Sequence, residues 1–142
     1  MAKGRSTLKL FLDSSVLCSA VYSPTGGSSK LFTINNSHLY VSRIVLHEVE
    51  KNVRLKLESY HLDRFIMLAS KLTIIDCVLD EKLIKNAKKY IVEKDSVILA
   101  EFIGSSCDHL ITLDKKDFIQ DKVIKFVKPK KILTPKMFFK VT

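Results

Sequence analysis

Cysteine is scarce in the 142 residues: Cys18, Cys77 and Cys107 lie far apart, are odd in number and form no CxxC pair. They argue against a disulfide framework and read as buried thiols of a reducing compartment. Long apolar runs are missing too, so nothing is both uncharged and apolar enough to span a bilayer. A secretory leader is not expected, because Asp13 interrupts the first apolar region and Leu17 precedes Cys18, where a lipoprotein signal needs a small residue. The expected location is the cytoplasm, with no membrane partner. Gly26-Gly27 lacks the Gly-Lys-Ser/Thr ending of a phosphate loop and is read as a turn, while His47-Glu48 lacks the second histidine of HExxH. Acids are in deficit, 15 against 24 Lys plus Arg for a net charge of +9, which favours an anionic partner such as nucleic acid.

The stretch that is present and organises the rest is Leu-Lys-Leu-Phe-Leu-Asp-Ser-Ser, residues 8–15, an apolar run ending on the carboxylate of Asp13. It fits a buried central strand, which is covered on both faces and so need not alternate. Ligands of open α/β sheets collect at the carboxyl ends of strands, where Asp13 would sit.

From there strand and helix alternate. A short helix over 16–21 and a turn-rich loop over 22–29 precede a second short helix over 30–34, capped by Ser28 or Ser29. Residues 39–42 form a strand, and Ser42 caps a helix from 43 to about 57 with Val45, Val49 and Val53 on its apolar face and Glu48 beside that face. Leu62, Phe65, Ile66 and Ala69 mark a helix over 60–70, and 72–76 a strand ending at Asp76. Asp80 caps a helix whose apolar positions alternate with Lys82, Lys85, Lys88 and Lys89, a face suited to solubility or to phosphates. Asp95 caps a nearly all-apolar helix that Gly104 can stop; Glu101 inside it needs a partner, a cavity or a raised pKa.

Residues 109–114 repeat the opening design, an apolar strand ending on Asp114. A turn over 115–118, a fifth strand over 125–128 and a basic tail with apolar residues at 132–139 complete the chain. The tail is expected to join the core rather than a homodimer interface. The alternation predicts an α/β fold with a parallel sheet in a single domain, residues 1–142.

Four blocks in this order, Leu-Phe-Leu-Asp13-Ser-Ser, Tyr-Val-Ser42-x5-Glu48-Val49, Lys94-Asp95-x3-Leu99-Ala100 and Leu110-Ile-Thr112-Leu-Asp114-x2-Asp117-Phe118, resemble the PIN domain family of metal-dependent nucleases. The loop over 23–29 and the helix after Glu48 look most like its branch of toxins from toxin–antitoxin pairs. One departure is Ser15, where many members carry an Asn that orients the first carboxylate. The resemblance implies a three-layer α/β/α sandwich with five parallel strands in the order 3-2-1-4-5. It also implies a divalent-metal-dependent endoribonuclease in which Asp13, Glu48, Asp95 and Asp114 are catalytic and hold Mg²⁺ or Mn²⁺, with Asp117, Thr112 and Ser15 accessory. Oxygen-only donors suit such hard ions. The metal would polarise the scissile phosphate and supply a hydroxide, leaving a 3′-hydroxyl and a 5′-phosphate. RNA would be the substrate, lysines of the 82–94 stretch and of the C-terminal segment would neutralise its phosphates, and an antitoxin would be a protein partner.

The alternative is a PIN-like module that binds RNA or protein without cutting, which the complete acid set disfavours. Response regulators and Asp-x-Asp phosphotransferases share the sheet design, but Asp13-Ser14-Ser15 lacks their second acid.

Overall fold

The structure, a computed structural model, describes residues 7–75 and 80–141. Five strands, β1 (Leu8–Leu12), β2 (Ser37–Ser42), β3 (Thr73–Ile75), β4 (His109–Ile111) and β5 (Lys131–Leu133), form one sheet. Its order is β3-β2-β1-β4-β5 and every pairing is parallel, as expected. Leu10, Phe11 and Leu12 are fully buried, which is what a central strand covered on both faces requires.

Around the sheet run α1 (Ser14–Tyr22), α2 (Gly27–Lys30), a 3-10 turn (Leu31–Thr33), α3 (Arg43–Lys56), α4 (Ser59–Ala69), α5 (Glu81–Ala87), α6 (Glu93–Gly104), α7 (Lys115–Phe118), α8 (Asp121–Val127) and α9 (Pro135–Val141). Strand side chains alternate between two apolar clusters. The larger gathers Phe11, Val41, Leu110 and Ile132 with α3, α4, α6 and α8; the smaller gathers Leu10, Leu12, Leu39 and Ile111 with Leu31 and Phe138. Val45, Val49 and Val53 are buried on one stripe of α3, each worth on the order of 2 kcal/mol.

Two expected caps form: Ser42 Oγ accepts from Val45 N at 3.0 Å and Asp80 Oδ1 from Leu83 N at 3.1 Å. Other boundaries differ. Ser28 and Ser29 are not caps; the helix starts one turn earlier from Gly26 and buries both hydroxyls, and Arg64 Nη2 donates to Ser29 Oγ at 3.0 Å. On α4, Ile66 faces solvent while His61 and Leu68 are buried. Asp95 is the third residue of α6 rather than its cap. Residues 115–118 make the short helix α7, not a turn.

The fifth strand is not at 125–128. Residues 125–127 belong to α8 and Lys128 is its C-cap; Val123 and Val127 of the helix, one turn apart, are both buried. A short apolar run suits either period, and packing chose the helix. The strand follows at Lys131–Leu133, registered on His109–Ile111 of β4. The apolar tail joins the core, with Ile132, Pro135 and Phe138 buried. Asp76 and Cys77 lie outside the described residues. Among the described residues no helix is long and apolar enough to cross a membrane.

Candidate metal centre and active site

With strands 1 and 4 adjacent, their acidic ends meet at the carboxyl edge of the sheet. Asp13 N donates to Ile111 O at 3.0 Å, continuing the ladder past the last strand residue. Asp13 then precedes α1 without capping it through its side chain, so the carboxylate is left for other partners. Its Oδ2 accepts from Ser15 Oγ and from Thr112 Oγ1, each at 2.9 Å, and the residue is only 5% exposed. Thr112 Oγ1 also accepts from Asp114 N at 3.0 Å, and Ser15 Oγ accepts from Leu113 N at 3.0 Å. Ser15 and Thr112 thus hold the end of β1 against the loop after β4.

The other acids arrive on helices. Glu48 stands in the second turn of α3, and Asp95 in the first turn of α6. Asp114 caps α7, its Oδ1 accepting from Asp117 N at 3.0 Å. Asp13, Glu48, Asp95 and Asp114 all line one cleft of about 350 Å³, together with Lys94 and Ser15. Within it the expected grouping is adjusted: among the described residues the one set of three or more acids whose oxygens all lie within 4.8 Å of one another is Asp95, Asp114 and Asp117, while Asp13 and Glu48 line the same cleft.

Asp95 shows the electrostatic consequence. Burial pushes its pKa up to about 6, Asp13 adds to the rise, Lys94 opposes it, and Asp114 and Asp117 raise it further. Asp95 Oδ2 is buried without a hydrogen-bond partner. A buried, unpartnered carboxylate oxygen among like charges is the environment that a hard cation relieves, and oxygen-only donors suit Mg²⁺ or Mn²⁺. Lys94, expected only as one of the phosphate-neutralising lysines of the 82–94 stretch, lines the acidic cleft itself.

Among the described residues the thiols take no part in this donor set. Cys107 is buried, which raises its pKa to about 11. Cys18 is half-buried rather than buried; its pKa is raised by burial and then by Glu48 and Asp13, with Lys56 and a hydrogen bond to Asn52 opposing.

No family model and no curated protein matches the sequence. Solved structures do match. VapBC2 from Rickettsia felis, bound to a DNA fragment from its promoter, superposes with a TM-score of 0.70 at 17% identity, over 89% of this chain and 98% of that one. The chain has the PIN-domain fold. A DNA-bound VapBC from Salmonella typhimurium aligns at a TM-score of 0.65 and 16% identity, over 90% of this chain and 98% of that one. VapC20 of Mycobacterium tuberculosis, described as a sarcin-ricin loop cleaving toxin, aligns at 0.53 and 12% identity, over 75% and 91%. At such identities the likeness is one of fold. Within this PIN fold, Asp13, Asp95 and Asp114 reach the switch point between β1 and β4 from three separate elements, and Glu48 approaches from the helix after β2.

Proposed function

We propose that the protein is a divalent-metal-dependent endoribonuclease, acting in the cytoplasm as the toxin of a toxin–antitoxin pair. The observation that carries this is the single cleft lined by four carboxylates drawn from residues 13, 48, 95 and 114, with an orphaned oxygen on Asp95. Asp95, Asp114 and Asp13 would hold Mg²⁺ or Mn²⁺, with Glu48 as a further ligand or as the group that orients water. Asp117 and Thr112 are accessory, Asp117 as a further acid beside Asp95 and Asp114. The ion, when bound, supplies Lewis-acid activation of water and of the scissile phosphate.

The chain's own residues do the rest. Ser15 and Thr112 fix the rotamer of Asp13 through two hydrogen bonds to one oxygen, leaving its second oxygen for the cleft. Asp114 is held by its cap on α7, and Lys94 offers a positive charge on the same wall. Toxin–antitoxin complexes among the fold neighbours support an antitoxin as the protein partner.

The test is incubation of the protein and of Asp13→Asn, Asp114→Asn and the double variant with mixed RNAs plus Mn²⁺ or EDTA, with the cleaved ends mapped. Cleavage should require Mn²⁺ or Mg²⁺, leave 3′-hydroxyl ends and vanish in each variant while the folded circular-dichroism spectrum persists. Undiminished cleavage by the double variant would sink the proposal.

A further inference from the structure

Beside the acidic cleft lies a second hollow of about 250 Å³, formed where the turn after α5 faces the α7–α8 junction. Its walls carry Lys88, Lys89 and Lys122 with Tyr90, and one acid, Asp117. The two hollows have opposite character. The cleft presents Asp13, Glu48, Asp95 and Asp114 against one lysine, while its neighbour presents three lysines against one acid. Asp117 joins them, standing on the wall of the second and within 4.8 Å of Asp95 and Asp114 through its carboxylate oxygens.

The lysines are available to a ligand. Lys89 and Lys122 are exposed and, among the described residues, have no carboxylate within ion-pair distance; Lys88 has only Glu93, at 3.3 Å across a solvent-exposed pair. Such an exposed pair is worth at most about 1 kcal/mol and yields readily to a phosphate. The hollow is held in shape from behind, because the ring of Tyr90 stacks on Phe126 of α8 with centroids 4.5 Å apart.

We infer that this hollow is the subsite for the backbone phosphates of single-stranded RNA flanking the bond held in the acidic cleft. The inference rests on the nuclease reading for what occupies the cleft, and adds the side on which the strand leaves it. A polyanion laid across four carboxylates is repelled wherever no cation intervenes, and the lysine hollow is contiguous with those acids through Asp117. Lysine acts on phosphate as a point charge, so recognition here is tolerant of sequence and sensitive to salt.

The test uses Asp114→Asn as a binding host with Mn²⁺ and a fluorescein-labelled oligouridylate of about twelve nucleotides. Replacing Lys88, Lys89 and Lys122 together by Gln should weaken binding about tenfold or more and flatten the dependence of log K on log salt by about 2. In the otherwise unaltered protein the same triple change should raise KM for RNA and leave kcat within about twofold. A control of equal charge, Lys30, Lys51 and Lys71 to Gln, should move binding by less than about twofold. Equal effects of the two triples, or no RNA binding by the host, would overturn the subsite. Lysine-dependent binding without any cleavage by the unaltered protein would sink the nuclease reading and support the subsite; cleavage indifferent to the three lysines would do the reverse.

Discussion

Thr112 donates its hydroxyl to Asp13 Oδ2 at 2.9 Å across 99 residues of chain, and both side chains are buried. The same oxygen of Thr112 accepts from Asp114 N at 3.0 Å, so one hydroxyl sets the positions of two of the four cleft acids. The strand order is what makes this meeting possible, since β1 and β4 are neighbours in register.

Thr112→Val, which keeps the shape and removes the hydroxyl, should therefore lower stability by about 1–2 kcal/mol in urea unfolding, because Asp13 Oδ2 loses a donor and Asp114 N its acceptor. RNA cleavage should fall about tenfold or more, as a loosened carboxylate misplaces its ion. Thr112→Ser should restore most of both. Wild-type turnover in the Val variant would remove the positioning role.

Divalent-metal binding should depend on acid. Asp95 is lifted to about 6 by burial and by its acidic neighbours, so below that pH a proton competes with the ion. Calorimetric Mn²⁺ affinity should be flat above about pH 6 and fall by up to about tenfold per unit beneath it. The sign for folding of the metal-free protein is the opposite. A carboxyl with a raised folded pKa contributes its stability below the usual value and loses it as pH rises through about 6. Asp95→Asn should thus raise the melting temperature of the metal-free protein at neutral pH while abolishing Mn²⁺ binding.

Glu101 behaves similarly without a part in the cleft. It is 7% exposed, its pKa is raised by burial, with a hydrogen bond to Ser42 opposing, and Oε1 has no partner. Glu101→Gln should stabilise the protein at neutral pH by on the order of 1 kcal/mol. The gain should shrink as pH falls through the raised pKa of folded Glu101, above the ordinary carboxylate range, and be gone once the pH is below the ordinary value. Thermal melts across pH that show a constant difference would contradict this.

Lys130 closes the carboxyl end of α6. Its Nζ lies 3.1, 2.6 and 2.7 Å from the carbonyl oxygens of Phe102, Ser105 and Cys107, and 5.1 Å over the Phe102 ring. The Ser105 and Cys107 carbonyls lie just past the last residue of α6, while the Phe102 carbonyl also accepts from Ser105 N at 3.1 Å, so the ammonium ties the helix end to the segment leading into β4. Lys130→Met should cost about 1–3 kcal/mol in chemical unfolding, with cleavage per folded molecule unchanged because α6 carries Asp95 at its other end.

What could be read from the residues, and what could not, divides by the range of the forces involved. Ser42 and Asp80 were legible as caps because a cap is satisfied within three residues. The run ending on Asp13 was legible as a central strand because a doubly covered strand is apolar throughout. The fifth strand was misplaced because Lys131–Leu133 is three residues long, too short to carry a period, and becomes a strand only by pairing with β4. Ile66 was misassigned for a similar reason: its neighbour Leu68 fits the core, and helical spacing alone did not choose between them.

The residues at the site divide in the same way. The identities and order of Asp13, Glu48, Asp95 and Asp114 are properties of the sequence, as is the oxygen-only chemistry they offer. That Asp117 approaches Asp95 and Asp114, that Ser15 and Thr112 share one oxygen of Asp13, and that three lysines stand beside the acids were decided by the tertiary structure alone. Hydrogen bonds and Coulomb forces act over a few ångströms, and only the folded sheet brings side chains a hundred positions apart to that distance.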